Sequence, residues 1–150
     1  MTPSLHAVTV SELRAQLTQA ELEAIPEAVD GVEAEAWLAA HIEHACARVV
    51  GAINACEKNA RIAPGGSKVP LECVRTVLVL ARHAVIAAVP GLASTLEGES
   101  RAAEYATATR DLDRLAACDL LPLYELEDEE AADSGVSVAV SARPFDDWFL

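Results

Sequence analysis

The residues best equipped for chemistry are four histidines and four cysteines, most of them in two stretches. His41, His44 and Cys46 lie close together, and Cys73 and His83 share a later segment. On a helix His41 and His44 share a face, but Cys46, two residues on, points to the opposite side. Completing a ligand set would require His83 with Cys56 or Cys73, and none of the paired-cysteine zinc spacings occurs. Buried cysteines with surface histidines are therefore the better reading than a structural metal, and no cofactor is implied. A Cys–His dyad is the obvious nucleophilic arrangement for these residue types. Cys73 and His83 are ten residues apart, which on one helix separates them by about 15 Å along the axis, beyond hydrogen-bond reach.

Other candidates fail on spacing. Gly65-Gly66-Ser67-Lys68 lacks the GxxxxGK[ST] order of a phosphate loop, and no strand pattern leads into it. The acidic run Glu125, Glu127, Asp128, Glu129, Glu130 and Asp133 lacks the order of a calcium loop and reads as a solvated linker. No GxSxG or HExxH occurs. The chain reads as a non-enzyme.

The segments that must carry these side chains are organised around residues 70–89. Leu71, Val74, Val77, Leu78, Ala81, Val85 and Ala88 form an apolar stripe at helical spacing, which Val79, Leu80, Ile86 and Val89 widen. Glu72, Arg75, Thr76, Arg82 and His83 are the only polar line. Pro70 suits a first helical position, and Pro90-Gly91 stops the helix. Arg75, Arg82 and His83 interrupt the run, so it falls short of the roughly 18–20 uncharged residues of a membrane span. A central core helix is expected.

Around it, Thr9 with Glu12 and Thr18 with Glu21 have capping-box spacing, which predicts short helices near 10–17 and 19–25, broken by Pro26 and Asp30-Gly31. Residues 32–56 carry a long stripe of Leu38, Ile42, Ala45, Val49, Ala52 and Cys56, with Trp37, Val50 and Ile53 on its flanks. Residues 57–69, with Pro64-Gly65-Gly66, read as an exposed interhelical loop. Ser94 and Glu97 suit a short turn that Gly98 ends. Ser100 then suits a cap for a helix to about 120, with Ala102, Tyr105, Ala106, Thr109, Leu112 and Ala116 inward and Arg101, Glu104, Arg110, Asp111, Asp113 and Arg114 wet. The expected core includes Leu38, Ile42, Val49, Ile53, Val74, Leu78, Val85, Tyr105 and Leu112.

Beyond Pro122 the pattern changes. Val136, Val138 and Val140 alternate with Ser137, Ala139 and Ser141, a strand signal with nothing nearby to pair with. Arg143, Phe145, Trp148, Phe149 and Leu150 follow, the aromatic residues suited to anchoring a docking peptide. The fold expectation is mostly α: a four- to five-helix bundle over 1–121, and over 122–150 an acidic linker and an extended C-terminal arm containing a short β-strand.

The formal net charge is −13, with 24 acidic residues against 11 basic ones. Such a surface repels phosphate and disfavours nucleic-acid binding through a basic face. The N-terminus lacks a signal-peptide pattern, so a cytosolic origin and four reduced thiols, Cys46, Cys56, Cys73 and Cys118, are expected.

The order of elements and several short strings resemble the small helical head-tail connector, or neck adaptor, proteins of long-tailed bacteriophages, in particular the Mu-like branch. The strings are residues 9–17, Val49-Val50-Gly51-Ala52-Ile53, Pro70, Ala81-Arg82-His83, and Glu99, Arg101, Tyr105, Ala108 and Leu112. Ala52 stands where that family often has an aromatic, and Lys58-Asn59 where it often has an Arg-Tyr pair. The resemblance implies a structural virion protein forming a ring, of about a dozen copies, under the portal protein. A tail-completion or tail-terminator protein would dock below, and DNA would pass through without specific binding. The alternative from another class is a cytosolic acidic binding or regulatory module, a DNA mimic or antitoxin-like protein.

Overall fold

The computed structural model describes residues 4–28 and 33–120. Five α-helices and one two-stranded antiparallel sheet make up its regular structure, confirming the mostly helical expectation. In chain order they are β1 (Leu5–Ala7), α1 (Val10–Arg14), α2 (Gln19–Ala28), α3 (Ala34–Ala55), β2 (Lys68–Pro70), α4 (Val74–Ala88) and α5 (Glu99–Ala116). Short 3₁₀ turns, Leu71–Cys73 and Ala93–Glu97, precede α4 and α5.

Both capping boxes form. The Thr9 hydroxyl accepts from the Glu12 N–H while the Glu12 carboxylate accepts from the Thr9 N–H at 2.8 Å, satisfying two donors that the start of α1 would leave orphaned. Thr18 and Glu21 make the same exchange ahead of α2. The α2 helix runs through Pro26 rather than stopping before it.

The α3 helix presents most of the stripe its spacing predicts: Leu38, Ile42, Ala45, Val49 and Cys56 are buried and Ala52 is half-buried, while Val50 and Ile53, expected on the flanks, are buried too. It packs against α4 and α5. The α4 helix is placed differently from its expectation. Pro70 closes β2 instead of opening the helix, which starts at Val74. Val77, Val79, Leu80, Ala81, Val85, Ile86 and Val89 form its inner side. Leu71, expected inside, is 61% exposed, Val74 and Leu78 are only half-buried, and Ala88 is exposed.

The α5 helix is rotated relative to its expected stripe. Ala102, Ala106 and Ala116 face out, and Ala108, Leu112 and Leu115 face in. Tyr105 and Thr109 are half-buried, and the Thr109 hydroxyl donates to the Tyr105 carbonyl at 3.1 Å. Ser100 is inside the helix and Gly98 is its N-cap. The helix ends at Ala116, where Cys118, at φ 63°, takes the left-handed position usual for glycine. The Asp119 N–H closes onto the Arg114 carbonyl at 2.8 Å.

The segment between α3 and β2 is more tightly held than an exposed loop. The Asn54 side chain pairs with the Ile62 backbone in both directions, at 2.8 and 2.9 Å, and Asn59 and Ile62 are buried. Gly65 and Gly66, both at positive φ, turn the chain into β2. Register is Leu5↔Pro70, His6↔Val69 and Ala7↔Lys68. The strand expected over Val136, Val138 and Val140 lies outside the described residues.

Candidate functional site

Three features bear on what this molecule can do: two ion pairs that orient α5, a disulfide at the root of the C-terminal segment, and a half-open apolar face on α4. The first begins with Glu21. Its carboxylate, 3% exposed, accepts hydrogen bonds from Nη1 and Nη2 of Arg101, 80 residues away, the second at 3.1 Å. Burial pushes its pKa up, but the Arg101 hydrogen bonds and charge and the Thr18 N–H outweigh that and hold it below the usual carboxylate value. Arg82 of α4, its side chain 10% exposed, donates to Glu104 of α5. That hydrogen bond and charge hold the Glu104 pKa down as well. Arg101 and Glu104, expected on the wet face, are therefore structural ties.

His83, one step from Arg82, stacks on Tyr105 with centroids 3.6 Å apart and planes within 12°. Burial, then the charges of Arg82 and Arg48, depress its pKa, which favours a neutral ring lying flat on the tyrosine. His41 packs edge-on to Trp37, with centroids 4.5 Å apart, and burial and then His44 lower its pKa. Among the described residues no three His, Cys, Asp or Glu side chains converge in a way that could hold a metal ion. No helix among them is long and apolar enough to cross a membrane.

The expectation of four reduced thiols is corrected. Cys56, which caps the end of α3, and Cys118 form a disulfide with Cα atoms 5.2 Å apart. Cys46 and Cys73 are free and buried. Burial, aided by Glu43 and Glu72 respectively, pushes both thiols up to about 11, so neither is a ready nucleophile at neutral pH. The disulfide fixes the point where the chain leaves α5 to the end of α3. Leu120, just beyond, is half-buried against the core.

The open face of α4 lies beside the sheet. Leu71, Val74, Leu78 and Val79 line a surface hollow of about 520 Å³ with Gln16, Arg75 and Glu104. A second hollow, of about 490 Å³, adjoins it, sharing Arg75, Val79 and Glu104 and continuing along α5 past Ala108 to Asp111. Leu5 on β1, 43% exposed, and Leu71 are the large apolar residues most exposed among the described ones.

Of the site residues the sequence singled out, the core set is brought together, with Val74, Leu78 and Tyr105 at its margin rather than its centre. The arm residues Val136, Val138, Val140, Arg143, Phe145, Trp148, Phe149 and Leu150 lie outside the described residues, as do Glu125, Glu127, Asp128, Glu129, Glu130 and Asp133 of the linker. Sequence reasoning missed Glu21, Arg101, Cys56 and Cys118 as structural partners. The one local signal was a cysteine standing just past a helix end. The chain matches no family model, no curated protein and no solved structure.

Proposed function

We propose that this protein is a structural adaptor, a phage head-tail connector that assembles as a ring beneath the portal and lets DNA pass through an acidic channel. The observation that carries the reading is the order of elements. Two short capped helices lead to a 22-residue helix with Val49-Val50-Gly51-Ala52-Ile53 near its end. A glycine turn, Pro70, and a helix centred on Ala81-Arg82-His83 follow, then a helix carrying Arg101, Tyr105, Ala108 and Leu112. The resemblance names these strings in this order.

Two physical features support it. A net charge of −13 repels the DNA backbone, as a conduit that must not retain DNA requires. The disulfide suits a protein that finishes in a particle, since disulfides persist on virions and are rare in a reducing cytosol.

The test is native mass spectrometry of the purified chain, alone and mixed with a phage portal protein. A ring of about a dozen copies, or one that forms only on the portal, supports the adaptor. A monomer or dimer that sequesters a basic nucleic-acid-binding protein would replace this reading with the acidic regulatory module.

A further inference from the structure

We propose that the outer edge of β1, with the open face of α4 beside it, is the acceptor for residues 135–150 of a second copy of this chain, so that subunits join arm to edge. The proposal rests on the ring reading and names the contact that would build it. Among the described residues β2 is the covered strand of the sheet and β1 the open one. β2 lies against α3, and its Val69 and Pro70 are buried. Pro70 has no N–H to offer a further strand.

On β1, Leu5 and Ala7 are exposed. The Ser4 carbonyl accepts from Leu71 at 3.3 Å and the Val8 N–H donates to Ser67 at 2.9 Å. Antiparallel alternation then turns the N–H and C=O groups of Leu5 and Ala7 away from β2. That is the edge an added strand uses.

The arm supplies what this edge lacks. Val136, Val138 and Val140 have the period of a strand, and Phe145, Trp148, Phe149 and Leu150 follow directly. Laid along β1, such a strand carries the aromatic residues toward Leu5, Leu71, Val74 and Leu78, where the two hollows can take large side chains. Charge agrees. Arg75 lines both hollows beside Glu104, with Asp111 at the far end of one, and offers the positive charge that Asp146-Asp147, between Phe145 and Trp148, would meet.

Length and symmetry suit a second copy. Fourteen residues, 121–134, separate the helical body from the arm and span up to roughly 50 Å when extended, more than enough to reach a neighbour. The donor starts beyond the C-terminal end of α5, whereas the acceptor lies at β1 and the first half of α4. A contact between two different surfaces of identical chains is heterologous and propagates head to tail until a ring closes.

The test uses the full chain with the photo-crosslinking residue p-benzoylphenylalanine in place of Leu71, mixed with isotopically labelled copies. The expected product joins position 71 of one chain to a peptide within 135–150 of another, in mixed-isotope pairs. A parallel Leu71→Glu variant should keep the helical circular dichroism, because the side chain is largely exposed, while weakening self-association by at least about tenfold. A crosslink to the arm of the same chain overturns the proposal. So does a crosslink elsewhere, or none, in a protein that still sizes as a ring; that result leaves the adaptor reading standing. A chain that stays monomeric at every concentration, and on the portal, removes both.

Discussion

Breaking the Cys56–Cys118 disulfide should cost this protein a large part of its stability, and the size of the loss follows from where the two residues sit. They are 62 positions apart, so the bond closes a loop that contains β2, α4 and α5. The chain-entropy relation for a loop of that length gives about 4 kcal/mol at 25 °C. With a urea slope of roughly 2 kcal/mol per molar, the unfolding midpoint should fall by about 2 M on reduction. Far-UV circular dichroism of oxidised and reduced protein would measure it. A thiol count under denaturing conditions should give two free groups before reduction and four after. Cys118 adds an internal control, because it stands at φ 63°. Cys118→Gly removes the bond but relieves the left-handed conformation, so it should be about 1 kcal/mol more stable than Cys118→Ser. Four reactive thiols in the unreduced protein, or equal midpoints, would refute the reasoning.

The remaining predictions concern the ties and the core. Arg101→Ala leaves the Glu21 carboxylate buried and unpaired and should destabilise by about 3 kcal/mol, read by chemical denaturation. Because the Glu21 and Glu104 pKa values are lowered in the folded state, their contribution is complete above the unfolded glutamate value of about 4.3 and is lost as pH falls through the depressed folded values. Melting temperature should therefore drop steeply below about pH 4; a flat profile down to pH 3 would contradict the pairing. Leu38→Ala, at a 1% exposed site, should cost about 2–5 kcal/mol, and Leu78→Ala, half-buried, about 1–2; equal losses would mean that α4 is covered on both sides in the isolated chain. Thr9→Ala should cost about 1 kcal/mol through loss of the α1 cap, again by denaturation.

How much the sequence disclosed varies with how local each cause is. Much of the stripe on α3 was legible because bulky residues at Leu38, Ile42 and Val49 recur at helical spacing and are buried together. Both capping boxes were legible for a similar reason: donor and acceptor are three residues apart. The sheet was not, since each strand is three residues long and its partner is more than sixty residues away, too short a run for alternation to register. The disulfide was equally hidden, joining cysteines that the spacing rules treat as unrelated.

The α5 helix shows how the hidden terms act together. Alanines occur all round it, so apolar periodicity pointed to an inward stripe rotated from the observed one, and the two ion pairs accompany the rotation that is found. Arg101 must meet Glu21 on α2, and Glu104 must meet Arg82 on α4. With both satisfied, Ala108, Leu112 and Leu115 turn inward, Ala102 and Ala106 turn out, and Tyr105 comes to lie on His83. Glu104 is then drawn to the flank of α4, where it borders the two hollows but leaves Leu71, Val74 and Leu78 half-open. The two ion pairs are thus tied to which apolar surface the bundle keeps for itself and which it leaves exposed. On the ring reading proposed above, loss of the Arg82–Glu104 tie should alter association through the α4 face more than it alters folding: Glu104→Gln, at a partly exposed position, should change the stability of the chain by no more than about 1 kcal/mol while shifting self-association in sizing experiments.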